Sequence, residues 1–191
     1  VKIARRFRAK HLRDNGEPID LYDERLTEAM GDLYRKEFRG HPSYNVLKAG
    51  DRIEMGSVTL KALWPPEIDP ERDWNANSLA FILEYGDFRA VLAMDLNQAG
   101  EEILLQGTPP DLKADLLKVG HHGAGDATGP RFLEAVAPRW AVISVGENPW
   151  GYPSEEVFKR LKESGAEVYR TDRDGSLAFT VGPDGQEVIS D

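Results

Sequence analysis

No cysteine occurs among the 191 residues. That absence removes disulfides, thiolate nucleophiles and cysteine-based zinc sites together. Histidine is scarce as well, with four copies, so a metal site would have to draw on His, Asp, Glu and Asn. No apolar run approaches the roughly 20 residues of a membrane-spanning helix; stretches such as Ser78–Leu83 and Ala141–Val145 are far shorter. The N-terminus lacks a signal-peptide pattern, and the chain as given reads as soluble. Internal repeats, low-complexity tracts and heptads are missing. So is a Gly-x-Ser-x-Gly elbow, which leaves serine-triad hydrolysis without support.

What is present suits one globular core: 40% hydrophobic and 30% charged residues over a length that can bury a sizeable interior. The formal net charge of −9 argues against a binder held mainly by phosphate contacts. Its distribution is uneven, however. Val1 to Arg13 carries six of the 24 basic residues and no acid, so the remainder has 18 bases against 33 acids. A polyanion would therefore have to meet the N-terminal arm or a bound cation. The chain begins at Val1, as expected of a processed product, an excised domain or a part of a longer protein.

Residues 1–44 form the first segment, with apolar positions at helical spacing (Leu26, Met30, Leu33, Tyr34) broken by Asn15-Gly16 and Pro18. Two helices with a turn are expected up to Phe38. From residue 45 the period changes to two, predicting a hairpin or meander through Val46, Ile53, Met55, Val58 and Leu60. Trp64–Trp74 is a Pro-rich acidic loop. Ser78–Tyr85 and Phe88–Met94 flank a Gly86-Asp87 turn, a strong hairpin signal. Helices follow at Gln98–Gln106, Pro130–Val136 and Ser154–Ser164, the last with Ser154 as its cap. Strands are expected at Ala114–Val119 and Ala141–Val145. A final pair of strands is expected around Thr171–Gly175, with Pro183-Asp-Gly185 turning into a last one. Strand and helix alternate as in an α/β protein.

Chemistry concentrates at two strand tips. His121-His122, flanked by glycines that permit close backbone approach, follows the Ala114–Val119 run. There a neutral imidazole can bind a metal or move a proton. Adjacent imidazoles seldom face one site, so one is expected to ligate and the other to contact substrate or a supporting group. A loop-capping pair is the plainer alternative. Asp95 ends the Val91–Met94 run, where a bridging carboxylate or a helix cap would sit. Asn75 and Asn77 precede a buried strand and could contact substrate or orient Asp95, although turn formation is the commoner role. His11 and His41 read as solvated. Thr171–Gly175 lacks calcium-loop spacing and reads as a hairpin turn.

Leu47–Ile53, Asn77–Leu83, Val91–Asp95, Leu116–Gly123, Pro138–Ser144 and Val168–Ser176 are similar, in order and spacing, to the metallo-β-lactamase-fold domain of ComEC-like competence proteins. These proteins take up transforming DNA through the bacterial inner membrane. The resemblance covers about Lys48 to Val188, with Lys-Val-Gly-His121-His122-Gly and Tyr-Arg-Thr-Asp-Arg-Asp-Gly as its specific motifs. It implies an αββα sandwich with mixed sheets, of which residues 45–191 would be the C-terminal portion. Residues 1–44 would be an added helical segment.

The resemblance further implies a hydrolase acting on DNA phosphodiesters with two divalent ions, Zn or Mn. Asp95, His121 and His122 would be catalytic and metal-binding, and Asn77, Ser78 and Tyr152 would line the substrate pocket. A membrane channel domain in the full-length protein is an implied partner, placing the domain in a bacterial cell at the inner membrane. Three departures stand against the family pattern. The His-x-His-x-Asp-His motif is absent; Ala93-Met94-Asp95 replaces Thr-Gly-Asp; and Gly151-Tyr152-Pro153 replaces Gly-His-Pro. Tyr152 cannot act as a neutral imidazole, because its phenol ionises near a pKa of about 10. Two alternatives stay open: a non-catalytic DNA- or partner-binding module of the same fold, and a small-molecule ester or phosphodiester hydrolase.

Overall fold

The computed structural model describes residues 9–18, 28–106, 108–182 and 185–190. Its frame is one seven-stranded mixed sheet in the order β3-β4-β5-β6-β7-β8-β9. The strands are β3 (Arg52–Met55), β4 (Val58–Trp64), β5 (Ala80–Tyr85), β6 (Phe88–Leu92), β7 (Leu116–Lys118), β8 (Trp140–Ile143) and β9 (Glu167–Arg170). Up to β6 the neighbours are antiparallel, and from β6 to β9 they are parallel. The Gly86-Asp87 turn sets the β5–β6 register, opposing Tyr85 to Phe88.

Strand alternation sorts the side chains onto two faces. Ile82, Val91, Leu117, Ala141 and Ile143 point to one face, where they meet Leu104, Phe132, Leu133, Val136, Val157 and Leu161. These latter residues belong to α2 (Gln98–Leu104), α3 (Pro130–Val136) and α4 (Glu155–Glu163). Ser154 caps α4 as expected, its Oγ accepting from Val157 N at 3.2 Å. The other face presents Phe88, Ala90, Leu116 and Trp140, on which Phe179 and Val181 pack. Those two come from β10 (Leu177–Gly182), paired antiparallel with β11 (Gly185–Ser190). The architecture is thus α/β with a mixed sheet, as expected: among the described residues, a helix layer, the seven-stranded sheet, and a two-stranded sheet against the opposite face.

Two local expectations are corrected. No hairpin joins β9 to β10. Thr171–Asp174 winds into a helical turn instead, because Thr171 Oγ1 accepts from Val145 N at 2.8 Å and Asp174 accepts from Arg170 N at 2.6 Å. That turn carries the chain to the opposite face of the sheet. In the N-terminal segment, the expected first helix falls partly on residues 1–8, outside the described residues, and Leu12–Asp14 is extended. It forms β1, parallel to β2 (Tyr44–Val46). The second expected helix exists as α1 (Glu28–Tyr34), which widens into a π-helical turn over Arg35–Arg39.

Asp14 ties this segment together, accepting from Tyr44 Oη at 2.6 Å, Gly16 N at 2.7 Å, Tyr34 Oη at 2.8 Å and Arg39 Nε at 3.1 Å. Burial alone would raise its pKa, but these partners outweigh it and leave the carboxyl below its ordinary value. The segment docks on the main body through Asn15, which donates to Asn77 O at 3.0 Å. Asn77 Nδ2 in turn donates to Glu17 at 3.1 Å.

Candidate functional site

Loops at the carboxyl ends of the parallel strands β6, β7 and β8 converge on one cavity of about 600 Å³, to which Trp74 adds a wall. In an open α/β sheet this is where ligands bind. Asp95, His121, His122 and Tyr152 all line it, together with Val145, Gly146, Glu147, Asn148 and Trp150. Sequence reasoning therefore brought four of its six named residues to one place. Ser78 supports the site from behind, its Oγ accepting from Asp95 N at 3.3 Å.

Asn77 is the correction. It is fully buried (0% exposed), and its side chain donates to Asp69 O at 2.8 Å and to Glu17. Its amide is spent on holding the 65–77 loop and the N-terminal segment, so it does not line the cavity. Asp95 is not a helix cap either: that role belongs to Asn97, whose side chain accepts from Gly100 N at 3.2 Å. Asn97 also donates to Asp73 at 2.8 Å, which fastens the Trp74 wall to the start of α2.

The two histidines divide their work. His122 Nδ1 lies 2.6 Å from Ser144 O, and a carbonyl only accepts, so Nδ1 carries a proton, and in the neutral ring the lone pair is on Nε2. That Nε2 sits 3.6 Å from Asp95 Oδ1. His121 packs edge-on against Tyr152, ring centroids 5.5 Å apart, with its buried Nδ1 3.7 Å from Asp126 and without a hydrogen-bond partner among the described residues. Its backbone N–H donates to Met94 O at 2.8 Å, linking the two strand tips.

Holding both rings here requires an unusual backbone. Met94, His121 and His122 have φ of 47°, 45° and 56°. Left-handed conformations at non-glycine residues cost about 1–3 kcal/mol each and gather at functional sites. The next residue, Gly123, has φ of 81°, and a Cβ there would lie 2.6 Å from Pro153 Cβ. Here glycine is needed for both conformation and close approach.

Several contributors escaped sequence reasoning. Lys118 Nζ donates to Met94 O and Val119 O, both at 3.2 Å, beneath Asp95. Burial pulls its pKa down, with Asp95 opposing. Glu101 is 1% exposed, and its two oxygens accept from Thr128 N and Gly129 N, each at 2.7 Å. Burial pushes its pKa up to about 7, against the lowering effect of those amides and of Arg160. Thr128 Oγ1 accepts from Gly120 N at 3.1 Å, so Glu101 braces the histidine loop from behind. The one signal for Glu101 in the sequence is its place beside Gly100 and three residues before Leu104, on the buried face of α2. Asn148 organises the far wall: its Oδ1 accepts from Trp150 N and Tyr152 N, and its Nδ2 donates to Gly146 O and Tyr152 O.

For a divalent ion, Asp95 and His122 Nε2 are suitable donors at a suitable separation. The count falls short, since among the described residues no group of three or more His, Asp or Glu could hold a metal. The residues described do not make a closed metal site by themselves.

No family model matches the sequence. Curated relatives do. The chain is 34% identical over 134 residues to ComE operon protein 3 of Bacillus subtilis, covering 70% of this chain and 17% of that protein. It is 34% identical over 138 residues to competence protein ComA of Neisseria gonorrhoeae (72% and 20%). To recombination protein 2 of Haemophilus influenzae it is 30% identical over 141 residues (73% and 17%). The chain thus spans about a fifth of the length of the relatives it matches. Among solved structures it is similar to a CmlA β-hydroxylase variant (TM-score 0.47, 10% identity, 84% of this chain and 36% of that one). A Thermotoga maritima protein of the metallo-β-lactamase superfamily is similar at TM-score 0.34 and 14% identity (63% and 59%).

Proposed function

We propose, from the premise that this chain belongs to the ComEC-like competence proteins and matches one segment of them, that its cavity engages and hydrolyses a DNA phosphodiester during DNA uptake. The observation that carries this is the convergence of Asp95, His121 and His122 at the ends of adjacent parallel strands, with positive φ at Met94, His121 and His122. Within the chain, His122 is oriented to take a proton: Ser144 O holds its Nδ1–H, and Nε2 opens beside Asp95. Asp95 would stabilise the imidazolium so formed. His121, wedged against Tyr152, is placed to contact substrate.

The test is cleavage of end-labelled single-stranded DNA with Mn²⁺ or Zn²⁺. The wild-type chain is expected to cleave, and Asp95→Asn and His122→Ala to lose at least about a hundredfold of that rate, the scale of a positioned acid–base group. If wild type and both variants share one background rate, the hydrolase reading fails. The incomplete donor set favours what then remains, a DNA-binding module of the same fold.

A further inference from the structure

We propose that the rim formed by Trp150, Tyr152 and Trp74 is a stacking site for an unpaired nucleobase, an inference that rests on the DNA reading above and specifies the form of DNA. Trp150 is 72% exposed, far more than a ring of this size usually is. It stacks on Tyr152 with centroids 6.2 Å apart and planes 25° from parallel. Tyr152 backs onto His121 in turn. Trp74, 38% exposed, lines the same cavity from the 65–77 loop.

The exposure is built in. Asn148 accepts from the backbone amides of both Trp150 and Tyr152, at 3.1 and 3.0 Å, fixing the loop that carries the pair. A side chain held open on a rigid loop is pre-organised for a flat partner, because its ordering cost falls before binding. The volume, about 600 Å³, lies within the roughly 300–1,000 Å³ of small-ligand sites.

Charge selects which part of DNA can enter. Asp95 and Glu147 line the cavity and Asp126 stands beside His121, so with no cation bound the lining charge does not favour a phosphate and affinity has to come from the base. A nucleobase is neutral and offers two π faces, and stacking on aromatic side chains is tolerant of sequence. In a duplex those faces are already stacked, so the site favours a single strand or a frayed end. The base held at the rim would leave its flanking phosphodiester near His121 and His122.

The experiment is fluorescence anisotropy with the full chain in EDTA, comparing labelled octathymidylate with an abasic octamer of the same backbone. Wild type is expected to prefer octathymidylate by about 5- to 150-fold, the range of one base–aromatic stack. Trp150→Ala should abolish the preference without changing abasic binding or the circular dichroism spectrum, and Trp150→Phe should retain part of it. Equal binding of the two octamers, no binding of either, or an unaffected Trp150→Ala variant overturns the inference. Equimolar thymidine monophosphate competing as well as the octamer overturns it too, in favour of a free nucleotide. Base-selective binding without any cleavage would sink only the hydrolytic reading; cleavage with no preference for bases would sink only this one.

Discussion

Replacing Glu101 with alanine should destabilise the protein most in acid and least in base, a pH trend opposite to that of a salt-bridged carboxylate. The carboxylate is buried, and both of its oxygens accept backbone amides from Thr128 and Gly129. Removal orphans two buried N–H groups at about 1–3 kcal/mol each, so the loss in acid is about 2–6 kcal/mol. Against this stands the desolvation of the charged form, which raises the folded pKa from 4.5 to about 7. The folded state therefore binds more protons than the unfolded state between those values. Its stability contribution is full below 4.5 and is lost as pH rises through 7. At about 1.4 kcal/mol per unit, the rise is worth on the order of 3 kcal/mol. Urea unfolding of wild type and Glu101→Ala from pH 4.5 to 8, followed by circular dichroism, checks both parts. The gap between the two proteins should be largest near pH 4.5 and shrink by on the order of 3 kcal/mol by pH 8. A gap that is constant or widens with pH refutes the reasoning.

A helix-interior Gly→Ala change ordinarily stabilises by about 0.5–1 kcal/mol. Gly100→Ala should instead destabilise by about 1–3 kcal/mol in the same assay, because its Cβ would lie 2.4 Å from Leu96 Cδ1 and 2.8 Å from Ala76 O. Asn148→Ala should leave global stability nearly intact while speeding amide hydrogen exchange at Trp150 and Tyr152 by about tenfold, as each loses one hydrogen bond. Unchanged exchange at those two amides would show that the loop is held by something else.

The elements that were legible in the sequence are those set by neighbours along the chain. The β5–β6 hairpin follows from Gly86-Asp87 between alternating apolar residues, and the start of α4 follows from Ser154. The histidine tip was legible for a similar reason, since an apolar run closing on Gly-His-His-Gly has few places to sit but a sheet edge. The Thr171–Gly175 turn was misread because its conformation is decided by Val145, a partner 26 residues away. Asn77 sits in a turn, the commoner role for such a residue, and its side chain is taken up by Asp69, eight residues away, and by Glu17, sixty away, a partner that no local pattern announces. Glu101 and Asn148 have no local signature as braces. Their value lies in backbone groups of other loops, which no spacing along the chain reveals.

The loops that frame the cavity are wired to one another as well as to the sheet. His121 N binds Met94 O, His122 binds Ser144 O, and Ser154 N binds Gly123 O at 2.9 Å. Each bond crosses from the end of one strand to the next. Substitutions in these loops should therefore show epistasis, with effects that depart from additivity by about 0.5–3 kcal/mol even when the altered side chains never touch. An imidazole placed at Tyr152 would be felt at His121, whose ring Tyr152 packs against, before it met any ligand. Grafting chemistry onto this scaffold means moving the three strand-end loops as a set.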